Sequence, residues 1–107
     1  MRFLNSKLKI ENTILQNIAK KYGTPAYCYS YKQLRENIND FKKNFKSISP
    51  LICFAIKSNT NLNLIKEIKK FGLGADVVSM GELMLALKAG ISPKKIVFSG
   101  VGKTSNC

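Results

Sequence analysis

Short apolar runs recur along this chain at a fixed interval, and that interval limits the folds open to it. Cys53, Ala75 and Val97 each sit within such a run, spaced 22 residues apart. The stretches between them have helical periodicity: Leu62, Ile65 and Ile68 in the first, Leu83, Leu85, Ala86 and Leu87 in the second. Strands and helices alternating at so short a period build successive βα units with parallel strands. A closed barrel of eight such units needs about 200 residues or more. With 107 residues, this chain holds about three units, and it reads as the front end of something larger.

Punctuation residues support this layout. Ile14, Leu15, Ile18, Ala19 and Tyr22 form a helical stripe stopped by Gly23-Thr24-Pro25, and Ala26-Tyr27-Cys28-Tyr29 reads as a short aromatic strand. Ser30 is placed to cap a helix reaching about Phe45, with Leu34, Ile38, Phe41 and Phe45 on one face. Pro50 introduces a strand over Leu51–Ile56, and Gly72 stops the helix that follows. Gly74–Val78 is the next strand. Ser79 and Glu82 then have the spacing of a capping box that starts a helix, ended by Gly90. Ser92-Pro93 makes a turn, Lys95–Ser99 a further strand, and Gly100-Val101-Gly102 a loop.

The formal charge of +12 raises the question of a nucleic-acid partner, whose phosphates attract such an excess. The lysines argue against one. They are scattered over polar helix faces and helix ends, where cations complement the dipole. Arginine, which clamps phosphates and reads bases, occurs only as Arg2 and Arg35. No apolar stretch approaches the roughly 20 residues of a membrane span, and the N-terminus lacks the apolar core of a signal peptide, so the expected location is the cytoplasm. Three cysteines, Cys28, Cys53 and Cys107, and no histidine leave a zinc site without credible ligands. Cys28 and Cys53 fall inside apolar runs and read as small core residues.

Lys57 is the residue that asks for chemistry. It follows the six-residue apolar run Leu51–Ile56 directly and leads into Ser58-Asn59-Thr60. The carboxyl ends of parallel strands are where α/β folds keep their active sites. Burying an ammonium there costs several kcal/mol unless it is paired or neutralised. By position alone, the alternative is a lysine whose amine snorkels to water.

Three motifs, and a stretch near the N-terminus, carry a resemblance. Phe54-Ala55-Ile56-Lys57-Ser58-Asn59 resembles a segment of the pyridoxal-phosphate enzymes with the alanine-racemase-like barrel. Gly72-Leu73-Gly74-Ala75-Asp76-Val77-Val78-Ser79 and Gly81-Glu82-Leu83 are similar to that family's next motif. The run from Gly90 to Thr104 is close to the pattern of diaminopimelate decarboxylases in particular, and Tyr22–Tyr27 resembles their opening. The likeness covers the chain from about Glu11 onward, and its specificity lies in the order and spacing of the motifs.

The resemblance implies the N-terminal part of a pyridoxal-phosphate-binding TIM-type barrel, incomplete. Residues 1–30 would be a helix and strand that pack with a second domain, and 31–107 a partial cofactor-binding barrel. It implies pyridoxal 5′-phosphate as cofactor and Lys57 as its Schiff-base lysine, in a partly dry pocket that favours the neutral amine. Asp76 would lie near cofactor and lysine; the alternative is an aspartate that orders a strand-to-helix turn. Ala55 would be the small residue that lets the ring lie close, although a core alanine looks the same. Glu82 reads as a helix cap, Lys103 receives no role, and Met80 replaces a glycine frequent in the decarboxylases.

The implied reaction is decarboxylation of meso-2,6-diaminopimelate to L-lysine by a homodimer. Another decarboxylase of the same fold, for ornithine, arginine or carboxynorspermidine, is the alternative, as is a non-catalytic pyridoxal-phosphate-binding protein. The family's phosphate loop, its glutamate at the pyridine nitrogen and its substrate arginine and tyrosine correspond to positions beyond Cys107, and its ring-stacking histidine is lacking. The expectation is therefore a fragment inactive alone, or one that needs a complementary chain.

Overall fold

The computed structural model describes residues 1–105; Cys107 lies outside the described residues. It divides into two compact units, Met1–Phe45 and the part from Lys46 onward. Among the described residues no helix is long and apolar enough to cross a membrane.

The first unit opens with an antiparallel meander that the sequence reading did not anticipate. Strands β1 (Arg2–Leu4), β2 (Lys7–Ile10) and β3 (Thr13–Ile14) pair in that order. Leu4 faces Lys7 and Ile10 faces Thr13, so each hairpin has a two-residue loop. Such loops require positive φ. Asn5 and Ser6 supply it in the first (52° and 63°), and Glu11 in the second (55°). Helix α1 (Leu15–Tyr22) lays its half-buried Leu15, Ile18 and Ala19 toward β2 and β3 and closes at Gly23, whose φ is 85°.

Helix α2 (Tyr31–Asn44) starts where expected. The Ser30 hydroxyl accepts from Gln33 N at 3.1 Å, and Glu11 Oε1 accepts from Lys32 N at 2.9 Å, so two orphan donors of the first turn are satisfied. Of its apolar face only Ile38 is buried; Phe41 and Phe45 are exposed, their rings 4.9 Å apart. The aromatic run Ala26–Tyr29 is not a strand. It joins no ladder among the described residues, and Tyr27 is 91% exposed. Aromatic and β-branched composition favours a strand only where a partner supplies the hydrogen bonds.

The second unit contains the three expected βα repeats. Strands β4 (Cys53–Ala55), β5 (Gly74–Val77) and β6 (Ile96–Phe98) form one parallel sheet in chain order. Helix α3 (Leu62–Lys70) and helix α4 (Met80–Lys88) make the crossovers. Ile56, Ile65, Ala75, Val77, Ala86, Ala89 and Ile91 form the core, with Phe54, Leu83 and Ile96 packed against it. The Ser79 hydroxyl accepts from Glu82 N, the cap the sequence implies, and Asn61 Oδ1, which the sequence reading did not single out, accepts from Asn63 N and Leu64 N. This is the architecture of the N-terminal part of a TIM-type barrel, with the sheet open at both edges.

The apolar run Leu51–Ile56 yields a shorter strand than its length suggests. Gly74 N donates to Ile52 O at 2.8 Å, but Leu51 is half exposed and Ile56 already enters a 3-10 turn, Ile56–Ser58. The polar residues after the run cause that turn. Ser58 Oγ donates to Ala55 O at 2.7 Å and Asn59 N donates to Ile56 O at 3.0 Å. Asn59 Oδ1 in turn accepts from Asn61 N at 3.0 Å, and Asn61 caps α3. Local side-chain bonds of this kind compete with the ladder and end the strand.

Candidate functional site at the strand ends

Parallel pairing in register brings the chemistry-bearing residues to one end of the sheet. Ala55 lies opposite Asp76, and Asp76 opposite Val97. Lys57 follows Ala55 by two residues and Ser99 follows Val97 by two, so Lys57, Asp76 and Ser99 occupy the carboxyl ends of three adjacent strands. Ala55 and Asp76 are half-buried, Lys57 and Ser99 exposed.

Asp76 is held from one side. Ser99 Oγ donates to Asp76 Oδ1 at 2.6 Å, the usual length for a hydroxyl on a carboxylate. Among the described residues Asp76 makes no ion pair with Lys57. The partly dry pocket expected around Lys57 is not formed by the described residues either, because the side chain stands in solvent. What the 3-10 turn provides is position: it fixes the Lys57 backbone one residue beyond buried Ile56.

Two glycines set the shape beneath and beside these residues. A Cβ on Gly74 would collide with the Lys95 carbonyl and stand 3.0 Å from Cys53 Sγ, so Gly74 is what lets the neighbouring chain segments close up at the start of β5. A Cβ on Gly102 would lie 2.7 Å from Val78 O, because the loop after β6 returns onto the start of α4. Burial pushes the Cys53 thiol above its usual range, and the Asp76 carboxylate adds to the shift. Cys53 is only half-buried and lies outside the core cluster, so it is not the core residue the sequence suggested.

Glu82 is the cap it was expected to be, with a variation. Its backbone N–H donates to Ser79 Oγ at 3.2 Å, and its Oε2 accepts from that same hydroxyl at 3.4 Å. Oε1 is buried without a hydrogen-bond partner among the described residues. Among the described residues Lys103 makes no hydrogen bond or ion pair with Lys57, Asp76 or Ser99. Sequence reasoning missed Ser99, since only the register of β5 against β6 reveals that its hydroxyl reaches Asp76. A separate cavity in the first unit, lined by Arg2, Lys9, Glu11, Lys32 and Glu36 among others, is bordered by none of Ala55, Lys57 or Asp76.

Comparison with known proteins places this arrangement. Residues 31–107 match the family described as pyridoxal-dependent decarboxylase, pyridoxal binding domain. The diaminopimelate decarboxylase of Aquifex aeolicus is 44% identical over 104 residues, covering 97% of this chain and 24% of that protein. A crystal structure from Aquifex aeolicus superposes with a TM-score of 0.92 at 44% identity, over 98% of this chain and 26% of the other. The diaminopimelate decarboxylase of M. jannaschii in complex with L-lysine superposes at 0.89 and 35% identity, over 95% of this chain and 25% of the other. The chain thus spans about a quarter of the length of the relatives it matches. With residues 31–107 matched by that family model, the chain belongs to the pyridoxal-dependent decarboxylases.

Proposed function

We propose that this chain contributes the lysine face of a pyridoxal phosphate site, in an enzyme that decarboxylates meso-2,6-diaminopimelate to L-lysine. The observation that carries the reading is the register that sets Asp76 opposite Ala55, two residues before Lys57, at the open end of the sheet. The residues present fit the aldehyde end of the cofactor. Lys57 offers a primary amine free to reach it. Ala55 keeps the strand surface low beside it, and Asp76 supplies a carboxylate whose Oδ2 accepts no hydrogen bond among the described residues.

Bound there, pyridoxal phosphate supplies an electron sink for the pair released as carbon dioxide leaves. The work of this chain's own residues is simpler. Lys57 would hold the cofactor through its Nζ amine, the group that would meet the aldehyde end. Asp76 would provide the negative charge that orients an ammonium. The diaminopimelate assignment is supported by relatives that carry that name and by a relative bound to L-lysine. Within the complete fold, residues 1–30 belong with the second domain and 31–107 with the cofactor barrel, in a homodimer or with a complementary chain.

The 107 residues are inactive alone in this reading. Lys57 stands in solvent, and decarboxylation on a bound cofactor needs water excluded from the reacting centre. The test is direct. The chain is incubated with pyridoxal phosphate, reduced with borohydride and digested, and the adduct is located by mass. The adduct is expected on Lys57 and absent from Lys57→Ala, with no carbon dioxide released from diaminopimelate. An adduct spread evenly over the surface lysines would refute the assignment of Lys57; full turnover by the isolated chain would refute its inactivity.

A further inference from the structure

Ser99 stands one residue past β6, and two bonds fix it. Its backbone N–H donates to Val77 O at 2.9 Å, which extends the β5–β6 ladder by one step. Its hydroxyl donates to Asp76 Oδ1 at 2.6 Å. The chain turns away immediately afterwards at Gly100, whose φ of 115° favours glycine. The loop then closes against Val78, where Gly102 leaves no room for a side chain. Ser99 is therefore held from its own ladder bond on one side and a sterically tight loop on the other. Asp76 has no other hydrogen-bond donor among the described residues.

We propose that Ser99 is a positioning residue of the cofactor site: its hydroxyl holds the Asp76 carboxylate in one orientation through Oδ1. Oδ2 is thereby left as the acceptor for an ammonium, that of Lys57 or that of an incoming amino acid. The proposal rests on the reading of Lys57 and Asp76 given above and adds a third strand to it. A hydroxyl suits the task because it donates one hydrogen bond without adding charge, so Asp76 keeps its attraction for a cation. A lysine or arginine in its place would satisfy the carboxylate and compete with the ligand's ammonium. A half-buried aspartate at a strand end without such a donor can sample more than one χ1 rotamer, and a mobile carboxylate orients poorly.

Two measurements on the 107-residue chain test this, with Ser99→Ala and the conservative Ser99→Thr. The first needs no cofactor: three-bond Hα–Hβ couplings of Asp76 report whether its side chain holds one χ1 rotamer. A single rotamer is expected in the wild type and in Ser99→Thr, and rotamer averaging in Ser99→Ala, with far-UV circular dichroism unchanged in all three. The second is the initial rate of borohydride-trapped pyridoxal phosphate on Lys57. That rate should fall about three- to tenfold in Ser99→Ala, the range a typical intramolecular hydrogen bond supports, and recover in Ser99→Thr.

Unchanged couplings in Ser99→Ala overturn the proposal, because Asp76 is then held without Ser99. Averaged couplings with an unchanged trapping rate overturn it too, since the bond would only tie the loop to β5. Couplings as expected with no Lys57 adduct in the wild type locate the failure in the Lys57 reading, and Ser99 loses its role with it.

Discussion

Replacing Gly74 by alanine adds one methyl group, and the structure says where that methyl must go. The new Cβ collides with the Lys95 carbonyl and approaches Cys53 Sγ to 3.0 Å. The sulfur can move by rotation about χ1, whereas the carbonyl belongs to the turn that feeds β6 and cannot move without disturbing that strand. Overpacking of a core by a methyl group costs typically about 1–3 kcal/mol, and a collision with backbone belongs at the upper end. Taking about 3 kcal/mol, from the 5–15 kcal/mol that stabilises a typical domain, the melting temperature falls by roughly 10–20 °C.

Thermal and urea unfolding followed by circular dichroism and tyrosine emission provide the assay, the chain having four tyrosines and no tryptophan. Gly81→Ala is the control. Its nearest non-local neighbour, Ser79 Oγ, would be 3.9 Å away, an ordinary contact, and the site lies in α4. Alanine there should raise stability by up to about 1 kcal/mol. Adding Cys53→Ala to Gly74→Ala removes the sulfur contact and leaves the carbonyl, so it should restore only a minor part of the loss. A Gly74→Ala chain that melts within a degree or two of the wild type would refute the steric account of β5.

Two further outcomes follow from the same geometry. Ser79→Ala deletes the α4 cap and should cost about 1 kcal/mol in urea unfolding, with Ser79→Asp retaining most of it; equal losses in both would mean that the hydroxyl's position, not capping, matters. In the native chain Cys53 should alkylate more slowly than Cys28 at pH 8, and Asp76→Asn should speed it, since burial first and the Asp76 charge second raise the Cys53 thiol. Because the raised pKa means the folded state keeps a proton the unfolded chain releases, this contribution is complete at neutral pH and is lost as the pH rises past about 9.

The parallel sheet was legible because its signal is repeated: three apolar runs at one spacing, the second followed by the Ser79 cap that the structure uses. The hairpins of the first unit were not. A two-residue loop announces itself through Asn-Gly or Asp-Gly, and here Asn5, Ser6 and Glu11 accept positive φ without glycine. Ala26–Tyr29 failed in the opposite direction, since strand composition says nothing about whether a partner is present. Of the site, the placement of Lys57 and Asp76 at strand ends could be read from the order of residues. The exposure of Lys57 could not, as burial depends on what covers a residue rather than on what precedes it. Ser99 required the register itself.

The chain order of β4, β5 and β6 has a consequence for synthesis. Each strand pairs with the one made just before it, across an interval of 22 residues, so no strand waits for a distant partner. At the usual pace of translation such an interval takes about 1–4 s, while closing a loop of that length and docking a helix need milliseconds or less. The sheet can therefore grow on the ribosome one unit at a time, every repeat settling before the next emerges. At each stage a single fresh edge, like that of β6 with its exposed Val97, is left to receive whatever follows.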